Sequence, residues 1–310
     1  MKEDGKSPVV CVLLSTYNGE KYIKEQILSI MEQKDIDVHL SVRDDGSTDS
    51  TASIIKNMMN IYSNISYEYG NNLGYERSFY SLLKSNPEYD YYAFSDDDDI
   101  WDNDKLISGI KKINEQQCSD NIPFVCWSAL RLTDENLNYI RDMEKPSQSD
   151  FEKGRYILDR YGYGATMVFN RAMRDMAIMH EPTIKISHDN WIGLLAVFTG
   201  KYCFDAVPHI SYRQHGTNIV GGDNNYTGTW KRRIRNFKKL HDVSRSETAL
   251  NLLNGYTPYL SSEDINLLEQ VAYYKKNLRN KIQLLKNKSI HRASKEKDFL
   301  FRIQVLFNIA

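Results

Sequence analysis

Cysteine is scarce in this chain of 310 residues. Its four cysteines (Cys11, Cys118, Cys126, Cys203) are scattered, and none stands in a C-x-x-C pair. That spacing argues against a disulfide framework and against zinc, and it fits reduced, mostly buried thiols in a cytosolic protein. Long apolar runs are missing as well. The N-terminus offers a six-residue apolar stretch (9–14) without a basic n-region, so it does not read as a signal peptide. The longest later run, "WIGLLAVF" (191–198), is far short of the roughly 20 residues of a spanning helix, so the chain is not expected to cross a membrane by itself. There is no G-x-x-x-x-G-K-[ST] and no G-x-G-x-x-G, which sets aside P-loop NTPases and dinucleotide-dependent dehydrogenases. With seven prolines there is no proline-rich linker, and no internal repeat or low-complexity tract is visible.

Apolar and polar segments alternate through the first third of the chain. "PVVCVLL" reads as a β-strand, and Ile23, Ile27, Ile30 and Met31 then recur at helical spacing over about 19–33. "VHLSVRDDGSTDS" is a second strand ending in a polar loop, where Asp49 or Ser50 can cap a helix carried by Ile54, Met58 and Ile61. "ISYEYG", "GYERSFYSLLK" and "YYAFS" give strand, helix and strand again. This order predicts an α/β fold with a mainly parallel, Rossmann-like sheet flanked by helices. Such sheets bind ligands beyond the carboxyl ends of their strands, where the polar clusters 15–18, 44–49, 71–77 and 96–99 all fall. From 120 to 225 the pattern is less regular, with strand candidates "FVCWSALRL", "ATMVFN" and "YCFDAVPHISYRQ" and a helix after "SHDNW". From about 228 the chain reads as helical to its end. The expected division is a main α/β domain over 1–225 (halves of about 1–115 and 116–225) and a helical extension over 226–310, with a hinge in "GGDNNYTGT".

The most unusual stretch is "YYAFSDDDDIWDNDKL", an apolar strand running into four consecutive aspartates. Two like charges about 4 Å apart repel by roughly 4 kcal/mol at an effective dielectric near 20, so something positive must offset them. Side chains alternate along an extended segment, which pairs Asp96 with Asp98 and Asp97 with Asp99. An Asp-x-Asp pair at a strand end is a hard-oxygen site suited to Mg²⁺ or Mn²⁺ together with substrate phosphates. The competing reading is an acidic loop capping the helix that begins near Lys105, a role that Asp102 or Asp104 fits. Further on, Asp189 in "SHDNW" opens a helix, where backbone N–H groups are exposed, and on the residues alone it reads as a cap.

"VCVLLSTYNGEKYIKEQILSI", "LSVRDDGSTDST", "NNLGYERSF" and "FSDDDDIWDNDKL", followed by "SHDNW" and "SYRQHGTN", together resemble the family-2 inverting glycosyltransferases of the GT-A fold. The likeness is strongest to the bacterial rhamnosyltransferase-like branch of cell-surface polysaccharide synthesis, and it runs from about residue 8 to 221. The resemblance implies a nucleotide-diphosphate sugar donor, a divalent cation (Mn²⁺ or Mg²⁺), and a glycan or lipid-linked acceptor. Donor contacts fall on Ser15, Thr16 and Tyr17. Asp45 would accept the imide N–H of the base, which favours uracil or thymine. Asn72 and Gly74 would line the nucleotide pocket. Metal contact falls on Asp98 with Asp96 beside it, and His215 resembles a third ligand. Asp97 stands where the branch commonly has Gln, facing either the donor ribose or solvent. Arg213 would meet the diphosphate. Asp189 becomes the base that deprotonates the acceptor, with His188 orienting it and Trp191 at the acceptor site.

Charge is divided unevenly. Residues 226–310 hold 17 Lys and Arg against 7 Asp and Glu, although the whole chain is nearly neutral at −1. In "TWKRRIRNFKKLH", Trp230, Ile234, Phe237 and Leu240 form one apolar face on a basic helix. This fits either an interfacial helix on anionic lipid or a helix packed on the catalytic domain. No RNA-binding motif accompanies the charge, so nucleic acid is not an expected partner. The expectation is a metal-dependent inverting transferase, cytoplasmic and peripheral at the inner face of the plasma membrane, moving L-rhamnose from dTDP-rhamnose or a hexose or N-acetylhexosamine from a UDP-sugar. A scaffold protein on an inactive transferase fold is the alternative.

Overall fold

A computed structural model describes residues 7–215 and 244–308. The hinge segment and the basic helix expected around 230–240 lie outside these residues. Strand β1 (Val9–Thr16), helix α1 (Ile23–Met31), β2 (Asp37–Asp44), α2 (Thr51–Met59), β3 (Ile65–Tyr69), α3 (Tyr75–Ser85) and β4 (Tyr91–Ser95) follow the sequence pattern closely. Strands β3, β2, β1 and β4 pair in parallel in that order. The register sets Thr16 against Asp44, Asp44 against Tyr69 and Leu14 against Ser95. The polar loops after all four strands therefore open on one edge of the sheet.

The remaining strands extend the sheet past β4. They are β5 (Ile100–Trp101), reached before helix α4 (Lys105–Glu115), then β6 (Phe124–Thr133), β7 (Tyr139–Asp142), β8 (Met167–Asn170) and β9 (Lys201–Arg213). β8 runs antiparallel between β4 and β6, β9 lies parallel to β6, and β5 closes antiparallel onto β9. Helices α5 (Lys153–Tyr156), α6 (Arg171–Ile178) and α7 (His188–Thr199) lie among them. The two-residue strand β5 carries no periodicity that a sequence could reveal. It exists because Ile100 and Trp101 pair with Ser211 and Ile210, more than a hundred residues away, and this pairing folds the acid run into a turn.

Alternation in β1 explains the layers. Cys11 and Leu13 join Tyr92 and Phe94 on one face, under α3, α6 and α7, while Val10, Val12 and Leu14 join α1, α2 and α4 on the other. A strand buried on both faces reads as a continuous apolar run, as "VVCVLL" does. Cys11 and Cys126 are buried, Cys118 and Cys203 are half-exposed, and all four are reduced. Of the two capping expectations, the first is met by one of its alternatives and the second needs correction. Asp49, not Ser50, receives the first N–H and the hydroxyl of α2 at Thr51. Neither Asp102 nor Asp104 caps α4, because their carboxylates turn to Arg131 and His209.

The C-terminal region forms α8 (Arg245–Tyr256), α9 (Ser262–Tyr273), α10 (Leu278–Lys286) and α11 (Lys295–Leu306). Leu252, Tyr256, Leu268, Phe301 and Val305 belong to the same buried cluster as Leu13 and Phe94. A charge clamp fastens this region from outside: Arg292 donates to Asp159 through Nε at 2.8 Å and through its terminal nitrogen, and the Ala293 N–H adds a bond at 2.7 Å. Burial alone would raise the Asp159 pKa, but these donors outweigh it and hold the carboxyl below its ordinary value. A folded-state pKa below the unfolded one adds stability above the ordinary carboxylate pKa, and that stability is lost as pH falls toward the lowered value. Asp159→Asn should therefore lower unfolding stability by about 1.5–3 kcal/mol at neutral pH. In urea denaturation the gap from the parent protein should close as pH drops below about 4.

Candidate active site

A cavity of about 900 Å³ lies at the carboxyl edge of the parallel strands, walled by the loops after β1 and β4, by the 163–165 turn and by the start of α7. Ser15, Thr16, Tyr17, Asp45, Asp96, Asp97, Asp98, His188, Asp189 and His215 all line it. Ten of the positions singled out from the sequence thus meet in one cleft, though they span two hundred residues.

The structure gives each of the four aspartates a different neighbour. Asp97 is half-buried rather than facing solvent. It accepts the Thr16 hydroxyl and lies against Gly19, where an added Cβ would collide with its Oδ2. Burial and the Asp98 charge push Asp97 up to about 7, against the hydrogen bond from Thr16. Asp98 Oδ2 is 2.7 Å from His215 Nε2, and the His215 ring stacks on Tyr22 at 5.1 Å. Asp99 is fully buried, accepting the Arg213 N–H at 3.3 Å. Near it lies Lys105, also buried, its ammonium 3.6 Å from the centroid of the Trp101 ring. Burial drives both toward their neutral forms, Asp99 well up and Lys105 down to about 7. Asp96 faces the cleft, and burial together with Asp98, Asp97 and Asp189 pushes it up to about 8. Carboxylates that raise one another in this way are the donor set a divalent cation relieves. By donor type Asp96, Asp98 and His215 suit Mn²⁺ or Mg²⁺, but their ligand atoms do not all converge within 4.8 Å of one another, as those of Asp102, Asp104 and His209 do.

On the opposite side, Asp45 is buried and its oxygens accept the N–H groups of Leu73 and Gly74, at 2.9 and 2.8 Å. Arg43 pairs with the same carboxylate and reaches the Asn71 carbonyl at 3.2 Å. Asp45 thus holds the 71–74 turn in shape as well as facing the cleft. Gly74, at φ +82°, begins α3, and Asn72 is exposed, accepting the Gly74 N–H at 3.2 Å. Gly74 opens onto a second cavity of about 670 Å³ that meets the first at His188.

Asp189 occupies the first turn of α7, whose N-cap is Ser187, and one of its oxygens accepts the Asn190 N–H at 2.7 Å. It is therefore not the cap. His188 packs against Phe79 and Phe94, with ring centroids at 3.8 and 4.4 Å, in space that exists because residue 164 is glycine. Burial lowers its pKa to about 4, so it is neutral at pH 7. Several expectations do not match the placement. Asn72 and Gly74 do not line the first cavity. Trp191 is 2% exposed, packs edge-on against Tyr256 at 5.8 Å and reaches only the wall of the second cavity. Arg213 is 4% exposed, and its guanidinium is directed at the carbonyls of Asp98 and Glu135 and at Glu25 (3.0, 2.8 and 2.7 Å). It braces the acid turn instead of projecting into the cavity.

Against this geometry the comparisons are direct. The family model described as "Glycosyl transferase family 2" matches residues 11–177. The chain belongs to that family. It is 31% identical over 259 residues to the dTDP-rhamnosyl transferase RfbG of Shigella flexneri, covering 76% of this chain and 84% of that one. It is 30% identical over 117 residues to the putative teichuronic acid biosynthesis glycosyltransferase TuaG of Bacillus subtilis, 36% and 44% of the two chains. Among solved structures, S. aureus TarS 1–349 in complex with UDP-GlcNAc superposes with a TM-score of 0.57 at 17% identity, over 97% of this chain and 80% of that one. The mannosyltransferase PcManGT from Pyrobaculum calidifontis, in complex with GDP-Man and Mn²⁺, gives 0.52 at 14%, over 99% and 82%. At these identities the two structures establish the GT-A fold.

The family-2 glycosyltransferase cleft also contains residues that the sequence pattern did not single out. Tyr22 lies between His215 and Arg213, the latter 4.5 Å from its ring centroid. Tyr75 also lines the cleft, and burial first, then Glu76 and the nearby Asp189 and Asp96, raise its pKa. Lys21 and Glu135 form an ion pair at the rim. The "GYG" of 162–164 was a signal, since glycines flanking an aromatic mark a tight approach. A second His-carboxylate grouping, Asp102, Asp104 and His209, has ligand atoms within 4.8 Å of one another. None of the three lines the cleft. With Arg131 on Asp102 and Asp205 3.2 Å from His209, it ties β9 to the start of α4. Gly19→Ala should displace Asp97 from Thr16 and reduce kcat/KM about tenfold, with little change in melting temperature. Steady-state kinetics and thermal unfolding check both halves.

Proposed function

We propose that this family-2 glycosyltransferase is a metal-dependent inverting enzyme that moves L-rhamnose from dTDP-rhamnose onto a lipid-linked or polymeric cell-surface glycan. UDP-linked hexoses or N-acetylhexosamines are the alternative donors. It would work at the inner membrane face. The observation that carries this reading is the meeting of Asp45, the acid run and Asp189 in one cleft. The RfbG relative, named as a dTDP-rhamnosyl transferase, supports the choice of donor.

In the proposed mechanism Asp189 takes the proton from the acceptor hydroxyl. The oxygen bonds to the anomeric carbon from the face opposite the nucleotide, and the bond from that carbon to the diphosphate oxygen breaks. The acceptor proton ends on Asp189, and the negative charge leaves with the nucleoside diphosphate. Asp96, Asp98 and His215 would hold the cation, which when bound stabilises the charge on the departing diphosphate. Asp45 would read the base through its imide N–H, in concert with the 71–74 turn. His188, being neutral and aromatic-packed, would shape the wall beside Asp189 without adding charge. Tyr75, with its pKa raised, keeps its proton at neutral pH and can donate a hydrogen bond to the sugar.

Asp189→Asn should lower transfer by about 10²- to 10⁴-fold while the dissociation constant for the nucleotide-sugar stays within twofold, measured by product formation and by calorimetry. Full transfer by that variant would remove the base assignment. In a nucleotide-release screen over dTDP-rhamnose and the common UDP-sugars, dTDP-rhamnose should turn over fastest. That turnover should vanish in EDTA and return with Mn²⁺ or Mg²⁺, and undiminished turnover in EDTA would overturn the metal role of Asp96, Asp98 and His215.

A further inference from the structure

Helix α11 is apolar on two opposite sides. Phe301 and Val305 point into the core. On the far side Phe299, Ile303 and Leu306 share a stripe at spacings of four and three, and Leu300 and Phe307 flank it. Phe299 and Phe307 are 63% and 72% exposed, and Leu300 and Leu306 are also open to solvent. Helix α10 repeats the feature one turn apart, with Leu278 and Ile282 exposed while Leu284 is buried. The two helices are joined at this end, because the Lys281 ammonium donates to the Leu306 carbonyl at 2.9 Å. Leu278 and Ile282 therefore flank the exposed end of α11. An exposed surface of this kind, built from two aromatics and four aliphatics, is uncommon on a face meant for water.

Charge indicates what covers it. Residues 275–308 carry ten Lys and Arg against two acids. Two of the cations are spent internally, Arg292 on Asp159 and Arg302 on Asp298. Lys275, Lys276, Arg279, Lys286, Lys288 and Lys295 remain exposed; Arg279 and Lys286 stand on the same helix as Leu278 and Ile282, and Lys295 lies one turn before Phe299. A second copy of this surface would bring like charges together, whereas an anionic lipid headgroup layer complements both its charge and its apolar side chains. We infer that the α10–α11 face is a membrane-docking surface, with Phe299, Leu306 and Phe307 entering the headgroup boundary of an anionic bilayer. This deepens the proposed placement beside a membrane and rests on it. It needs no contribution from the active-site residues.

The test is co-sedimentation of the full chain with vesicles of phosphatidylcholine alone and with 30% phosphatidylglycerol (about one anionic headgroup in three). The parent protein should bind the anionic vesicles at least tenfold more strongly, and binding should fall as salt is raised. The triple variant Phe299→Ser, Leu306→Ser and Phe307→Ser should lose at least tenfold in partitioning while nucleotide release in solution and the melting temperature stay unchanged, because these side chains are already exposed. If the parent binds and the variant binds equally well, the docking face is overturned while the membrane placement stands. If the parent does not bind, both fall. If the variant instead converts a dimer to a monomer in light scattering, the face belongs to a second copy and the lipid assignment is overturned.

Discussion

The arrangement of this enzyme turns on the repulsion among four carboxylates at the mouth of a buried strand. A parallel strand such as β4 delivers its last residues to a sheet edge surrounded by other loops, so Asp96 to Asp99 cannot spread apart into solvent. The fold separates them by giving each a different environment. Thr16 and the glycine at position 19 receive Asp97, His215 receives Asp98, and the Arg213 N–H with Lys105 nearby receives Asp99. Asp96 is left facing the cleft with its pKa raised by the others. These partners come from the end of β1 and its loop, from the end of β9, from the second residue after it and from the start of α4, so the pairing of β5 with β9 is as necessary to the site as the aspartates themselves.

The same logic governs the opposite wall. Asp45 sits just past the end of β2, where a buried carboxylate needs hydrogen-bond partners. Arg43 and two backbone N–H groups from the 71–74 turn provide those partners. A buried ion pair of this sort adds little net stability, because desolvation offsets most of the attraction. What it supplies is position. The carboxylate, the turn and the start of α3 become one unit, and loss of either charge would disturb the loop as well as the contact.

Much of this was legible in the sequence. The alternation of strand and helix through residue 95 places the first seven elements within a few residues, because strands buried on both faces and amphipathic helices leave strong periodic signals. The site residues were legible to the extent that strand ends converge in a parallel sheet. Ser15 to Tyr17, Asp45 and the acid run had to be neighbours once the strand order was known. Asp189 and His215 entered only through the likeness to a family, since nothing in their local sequence says that a helix start and a strand end will face acids that lie far earlier in the chain.

What residue order determined is therefore the set of elements, the edge on which chemistry gathers and the excess of positive charge toward the C-terminus. Tertiary structure alone decided which side chains are available there. Arg213 and Trp191 carry chemistry suited to a diphosphate and a sugar, yet the first is turned into the acid loop and the second into the core. Tyr22 and Tyr75 were not singled out within their motifs and still reach the cleft. The reason is physical. Periodicity records which face of an element is buried, but a functional side chain's direction depends on partners brought by long-range pairing, and those partners leave no trace in the residues beside it.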